Sequence, residues 1–404
     1  MSRFVLLACA AVVQGACGAT LIASHFTGGI YTLSFTGTNS SGTLSITSQT
    51  SGCGSTPGWL EFYSDTRKLY CFDESWMGSG LNAEYSVAND GRLSLTGQIR
   101  TTGNSVHGGL YGGTDGRGFV ATAEYSPSTI TTFTMPLSST SKVLQQEKFT
   151  MAVRGPNPRQ DVPHPHEIHP DPTGQFLLVP DLGADLVRIF KIDAASGKLT
   201  ACPAAKADPG DGPRHIKFWQ STSIPGLQKA YTLNELANSV SAWDVTYPND
   251  SNSTSPASVS GCLTLTKTQT LSTYAPNTNP STNPTSGTKA AELHIADNFL
   301  YASNRADQTF GPQQDSIATY AINGATGALV WLGADNSYSY YPRTFQVNRA
   351  GTLVAVGGQT SSNVAVVARD PATGRLGRLV ASLQVGARGR AGQEDGLSAV
   401  GWVE

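Results

Sequence analysis

Short apolar runs punctuate the chain, each closed by a turn rich in Gly, Asp, Asn, Ser or Pro. Runs of this length between turn residues read as β-strands, not helices. The stretch from Asp171 shows the pattern. Asp171-Pro-Thr-Gly174 is a turn, Phe176-Leu-Leu-Val179 a strand and Asp181-Leu-Gly-Ala-Asp185 a polar loop. Leu186-Val-Arg-Ile-Phe190 is a second strand, Ala194-Ala-Ser-Gly197 a turn, and Lys198-Leu-Thr200 opens a third strand.

The same order returns from Arg349-Ala-Gly351 through Leu353-Val-Ala-Val356 and Val364-Ala-Val-Val367 to Pro371-Ala-Thr-Gly374. It returns again from Asn298-Phe-Leu-Tyr-Ala302 to Gly324-Ala-Thr-Gly327, with weaker copies near Lys68 and Gly118. A further strand precedes each turn: Trp59–Phe62, Gly108–Tyr111, His166–His169, His215–Phe218, Leu293–Ile295 and Thr344–Val347. Four strands per unit of about 50 residues predict an all-β propeller. Six full blades span about Gly58 to Gly386. Thr20–Ala23, Gly29–Ser34 and Gly42–Ile46 supply three strands of a seventh, and Leu397–Trp402 supplies the fourth. Closure removes exposed sheet edges, so both ends belong to one seven-bladed domain, residues 20–404. The long interval between Arg214 and Glu292 holds two Ser/Thr/Asn/Pro tracts, Pro248–Ser258 and Pro276–Thr288, which read as surface loops.

Composition agrees with a large β protein. Of 404 residues, 43 are Gly and only 14% are charged, so material for long helices is scarce. The net charge is −2 and the longest basic run is Arg388-Gly389-Arg390, which leaves no nucleic-acid footprint. Residues 1–19 carry Arg3, a short apolar run and small residues ending at Ala19, the pattern of a secretory signal peptide. The run is too short for a membrane anchor, so no membrane association is expected once it is removed. Export would leave Cys53, Cys71, Cys202 and Cys262, and proximity favours Cys53–Cys71 and Cys202–Cys262 disulfides. Sequons at Asn39, Asn249 and Asn252 fit a glycoprotein of the same extracellular compartment.

With the first strand of each blade innermost, the loops entering it and those leaving the second strand share one face. His107, His164, His166, Arg214, Glu292 and Arg343 begin first strands there, and His25, Glu74, Glu124, Asp181, Glu235, Arg305 and Gln359 end second strands. In so charge-poor a chain this concentration marks a candidate site on one rim. His166 and His169 have opposite parity along a strand and cannot share an ion. No HExxH or GxSxG motif is present, and no metal is expected.

Several ordered motifs then carry a resemblance: Pro165-His166 with Asp171-Pro-Thr-Gly174, Gly212-Pro-Arg-His215, Asn234-Glu-Leu-Ala-Asn-Ser-Val240, Ala291-Glu-Leu-His-Ile295, Tyr301-Ala-Ser-Asn-Arg305, and Pro342-Arg343 with Gly358-Gln359. Over nearly the whole mature chain the sequence resembles the lactonase family of seven-bladed propellers, as a secreted, fungal-type member. That family includes bacterial 6-phosphogluconolactonase and fungal carboxy-cis,cis-muconate lactonising enzyme. The resemblance implies catalytic roles for His166, Glu235, Arg214 and Arg305, and no metal or other cofactor. The residue chemistry agrees: His166 or Glu235 to activate water, and arginines for a developing oxyanion and a substrate carboxylate. Arg343, Asp181, Gln359 and His164 are expected to bind substrate. Hydrolysis of a sugar-acid or carboxylated lactone is the favoured activity. A cycloisomerase adding a carboxylate to a double bond and a non-catalytic binding propeller are the alternatives. A phosphorylated substrate is at odds with export.

Overall fold

The computed structural model describes residues 17–76, 78–248, 261–276 and 287–404. These form seven four-stranded antiparallel sheets, and no helix occurs among them. Blade 1 comprises Pro57–Tyr63, Lys68–Asp73, Leu81–Val87 and Leu93–Arg100. Blade 2 comprises Ser105–Tyr111, Phe119–Glu124, Thr129–Thr134 and Val143–Lys148. Blade 3 comprises His169–Pro170, Phe176–Asp181, Leu186–Ile192 and Leu199–Lys206. Blade 4 follows with Pro213–Gln220, Gln228–Asn234, Ser239–Thr246 and Thr264–Ser272. Lys289–Ala296, Phe299–Arg305, Ser316–Ile322 and Leu329–Asn336 make blade 5. Pro342–Val347, Leu353–Gly358, Asn363–Arg369 and Leu376–Gln384 make blade 6. Blade 7 joins the chain ends: Leu397–Trp402 is innermost and pairs with Cys17–His25, followed by Ile30–Gly37 and Gly42–Thr50. The expected 3+1 closure is thus observed.

Second strands such as Phe176–Asp181 and Leu353–Gly358 are buried along their whole length, because neighbouring blades cover both faces. Outer strands such as Gly42–Thr50 mix half-buried and exposed residues. One expected strand is shorter than the pattern suggests. Of His166–His169 only His169 enters the ladder, in His169–Pro170, and Pro165 makes an isolated bridge to Asp181. Pro163, Pro165 and Pro170 lack the N–H a continuous ladder needs.

Pairing in blade 7 already begins at Cys17, opposite Gly37, so the expected cut near Ala19 falls inside the first strand. The rest of the expected leader, the sequons at Asn249 and Asn252 and most of the two Ser/Thr-rich tracts lie outside the described residues. Both expected disulfides are formed. Cys53–Cys71 fastens the connection after blade 7 to blade 1, and Cys202–Cys262 ties blade 3 to the segment before the outer strand of blade 4.

Candidate active site

Register breaks near the start of the innermost strands aim side chains at one end of the channel. The ladders skip a residue between Pro57 and Trp59, Ser105 and His107, Pro213 and His215, and Pro342 and Thr344. In blade 5 the break lies between Ala290 and Leu293. A bulge turns its extra residue off the pleat. The residues so placed include Val106, Arg214 and Arg343, and all three line one cavity of about 380 Å³. Gly58 holds the bulge in blade 1, where a Cβ would press on the Glu74 side chain, another wall residue.

Glu235 organises the cavity. It leaves strand Gln228–Asn234 with its N–H bonded to Gly212 O at 2.8 Å. Its Oε2 lies 2.8 Å from Arg214 Nε and 2.9 Å from Arg305 Nη2, and its Oε1 pairs with Arg159 Nη1. Arg305 is held further by Ala290 O, and Arg159 by the Tyr125 hydroxyl. A second carboxylate pair, Glu74 and Glu394, holds the two ends of Arg343. Lys289 is the one charged side chain of the wall that has no ion-pair partner among the described residues, and its Nζ lies 5.4 Å from the Tyr341 ring centroid.

His166 lines the same cavity, and neither of its ring nitrogens has a protein hydrogen bond among the described residues. Its backbone N–H donates to Pro180 O at 2.8 Å, and its ring packs edge-on against Tyr125 and His215. Burial, with Arg214 and His215 nearby, holds its pKa well below the usual imidazole range, so it is neutral at neutral pH. Burial alone would raise Glu235, but Arg159, Arg305 and Arg214 outweigh it and keep the carboxylate ionised. Burial and Arg305 bring Arg214 down to about 10 and Lys289 down to about 8. Glu74 is pushed up to about 7 by burial, against the attraction of Arg343.

Deeper in the channel, ligand atoms of His107, Glu167 and His215 lie within 4.8 Å of one another. The Ile168 N–H donates to His107 Nδ1 at 3.4 Å, which puts the imidazole proton on Nε2, the nitrogen facing Glu167. Lys217 Nζ already neutralises Glu167 at 2.7 Å.

The family model for the lactonase seven-bladed β-propeller matches residues 20–391. The chain belongs to the lactonase family. A relative from Arthroderma benhamiae, named "Probable 6-phosphogluconolactonase", is 32% identical over 338 residues, 83% of this chain and 79% of its own. A 6-phosphogluconolactonase of Formosa agariphila is 30% identical over 277 residues, covering 66% of this chain and 68% of that one. Among solved structures, a periplasmic gluconolactonase of Pseudomonas aeruginosa superposes with a TM-score of 0.75 at 25% identity, covering 96% of this chain and 99% of that one.

In this family member the structure brings His164, His166, Arg214, Glu235, Arg305 and Arg343 to one cavity. Asp181 and Gln359, expected to bind substrate, stand behind its wall. Asp181 is fully buried, and its oxygens accept from the His164 and Ala184 amides and pair with Arg188. Gln359 is fully buried and donates to Gln393 O at 2.9 Å and to Glu394 Oε2 at 3.2 Å. His164 stacks on Tyr125, with its ring nitrogens 3.0 Å from Tyr125 O and Asp161 Oδ1. Glu235, expected to activate water or orient His166, makes no hydrogen bond to that ring; the three cations occupy it. Sequence reasoning missed Arg159 and Glu394, which enter from the long connections before His169 and Leu397. It also took Glu292 as the rim residue of blade 5. The bulge instead gives the rim to Lys289 and turns Glu292 toward a deeper cavity of about 190 Å³.

Proposed function

We propose that the protein is an exported hydrolase of sugar-acid lactones. The observation that carries this is a neutral, unpartnered imidazole, His166, in the same cavity as guanidiniums locked in place by Glu235. Water adds to the lactone carbonyl carbon as His166 takes its proton. Arg214 and Arg305 stabilise the oxyanion. The ring C–O bond then breaks and the imidazolium protonates the departing oxygen, giving the open hydroxy acid. Glu235 acts in this scheme by holding the arginines, and unpaired Lys289 offers a contact to any substrate carboxylate. Two relatives are named for phosphorylated lactones, whereas the Pseudomonas protein is a periplasmic gluconolactonase. Two disulfides and the leader-like first residues favour the unphosphorylated class.

A pH-stat assay on D-glucono-1,5-lactone, its 6-phosphate and D-galactono-1,4-lactone tests the reading. Acid release above the spontaneous rate is expected for the unphosphorylated lactones. His166→Ala is expected to lower kcat by about 10²- to 10⁴-fold, and Arg214→Ala by about 10²- to 10³-fold. Because the neutral imidazole is the active form and its pKa is depressed, kcat/KM is expected to stay level as the pH falls below about 6.5. No hydrolysis by the wild type, or full activity in both folded variants, would overturn it.

A further inference from the structure

Beside the cavity that holds His166 lies a second one of about 600 Å³, and Arg159 and Lys289 line both. The remaining lining of the outer cavity carries no charge: Asn157, Leu236, Thr288, Tyr340 and Tyr341 provide amide, hydroxyl, aromatic and aliphatic groups. At about 380 Å³ the inner cavity is already within the range of a complete small-molecule site, and a six-carbon lactone needs no second chamber. The outer cavity thus leaves room for a further substituent on the substrate.

The backbone there is held in a costly conformation. Tyr341 sits at φ 65° and Tyr338 at φ 53° in the link between strands Leu329–Asn336 and Pro342–Val347. Left-handed tyrosines persist where the surroundings fix them. Here the buried Asp315 carboxylate accepts the Tyr341 N–H at 2.6 Å together with the amides of Ala306 and Gln308. This turn presents the adjacent rings of Tyr340 and Tyr341 edge to face, with centroids 6.5 Å apart. Tyr341 is buried with Arg305 and Lys289 over its ring, so half-buried Tyr340 is the aromatic face left for a ligand, and the amide and hydroxyl groups around it suit a hydroxyl-rich ring.

Building on the lactonase reading, we propose that the preferred substrates are lactones of disaccharide acids. The lactone ring occupies the inner cavity, and the glycosyl unit lies in the outer one against Tyr340. The substituent stays intact and no glycosidic bond is broken.

The test compares kcat/KM for cellobiono-1,5-lactone and maltobiono-1,5-lactone with that for glucono-1,5-lactone, using the full-length secreted protein. At least one disaccharide lactone is expected to exceed glucono-lactone by about tenfold, the worth of one good aromatic contact. In Tyr340→Ala that ratio is expected to fall to about one, chiefly through KM. Asn157→Ala, on a different segment, gives a second reading should Tyr340→Ala fold poorly. If the wild type opens glucono-lactone and gains nothing from the glycosyl unit, this proposal fails while the lactonase reading stands. A preference unchanged in both variants also overturns it. If lactones of neither size are opened, both readings fall.

Discussion

Glu235 shows how one residue sets the character of the cavity. Three guanidiniums meet its carboxylate, and two of them, Arg214 and Arg305, are almost fully buried. Cations this deep depend on their counter-ion, because desolvation is costly and a broken buried pair leaves a charge uncompensated. Glu235→Gln is therefore expected to cost about 3–5 kcal/mol of stability as well as activity. Arg159→Gln removes the one partner that is partly exposed, at 39%, and leaves the buried carboxylate two cations, so a smaller loss of about 1 kcal/mol is expected. Urea denaturation of the two variants checks the contrast. Equal midpoint shifts would show that Glu235 is not the centre of the arrangement.

At the level of elements, a contact recurs that joins each of three blades to the next. Tyr111, Tyr231 and Tyr301 donate their hydroxyls to the carbonyls of Gly197, Gly327 and Gly374, the last residues of the Ala-Ser-Gly and Ala-Thr-Gly turns one blade further on. Each glycine has φ near +70°, and a Cβ there would collide with Phe119, Lys229 or Phe299 of the preceding blade. Gly374→Ala thus meets both a strained backbone and a packed ring, and is expected to cost about 2–4 kcal/mol. Gly174, at φ 68° with open space around it, isolates the backbone component, and Gly174→Ala is expected to cost about 1–2 kcal/mol. Thermal unfolding of both variants distinguishes the two, and equal losses would remove the docking role of these turns. The turns themselves were legible from the repeat of Asp, Thr and Gly, because turn chemistry is local. Their docking on the next blade was not, since it depends on tertiary packing. The bulges escaped for a related reason: one skipped residue in a short strand leaves too few positions to break an alternation visibly. Blade count, closure and the arginine-bearing face followed from the repeat, and both disulfides from the proximity of the cysteines in sequence. Lys289, Arg159 and Glu394 did not, being placed by a bulge and by two aperiodic connections.

The whole molecule is closed by its last strand, and the connection that leads into that strand bears on the site. Strand Leu397–Trp402 lies innermost in blade 7, and the connection before it carries Glu394, which holds Arg343 in the cavity. Trp402 packs edge-on against Phe35 and donates to Gln346 O at 3.0 Å in the neighbouring blade, while the Val400 N–H donates to Thr344 Oγ1 at 3.0 Å. Removal of residues 397–404 would uncover the edge of strand Cys17–His25 and much of the apolar cluster around Leu21, Leu33, Phe35 and Val385. An open edge over an exposed core favours association between copies. The truncated chain is expected to lose its cooperative thermal transition and to aggregate, although every residue of the cavity wall remains. A synthetic peptide covering residues 393–404, supplied during refolding, is expected to restore both the transition and lactone hydrolysis in proportion to peptide bound. A truncated protein that melts cooperatively at the wild-type temperature would show that six blades and an open seventh suffice, and that the ends of the chain do not hold the ring together.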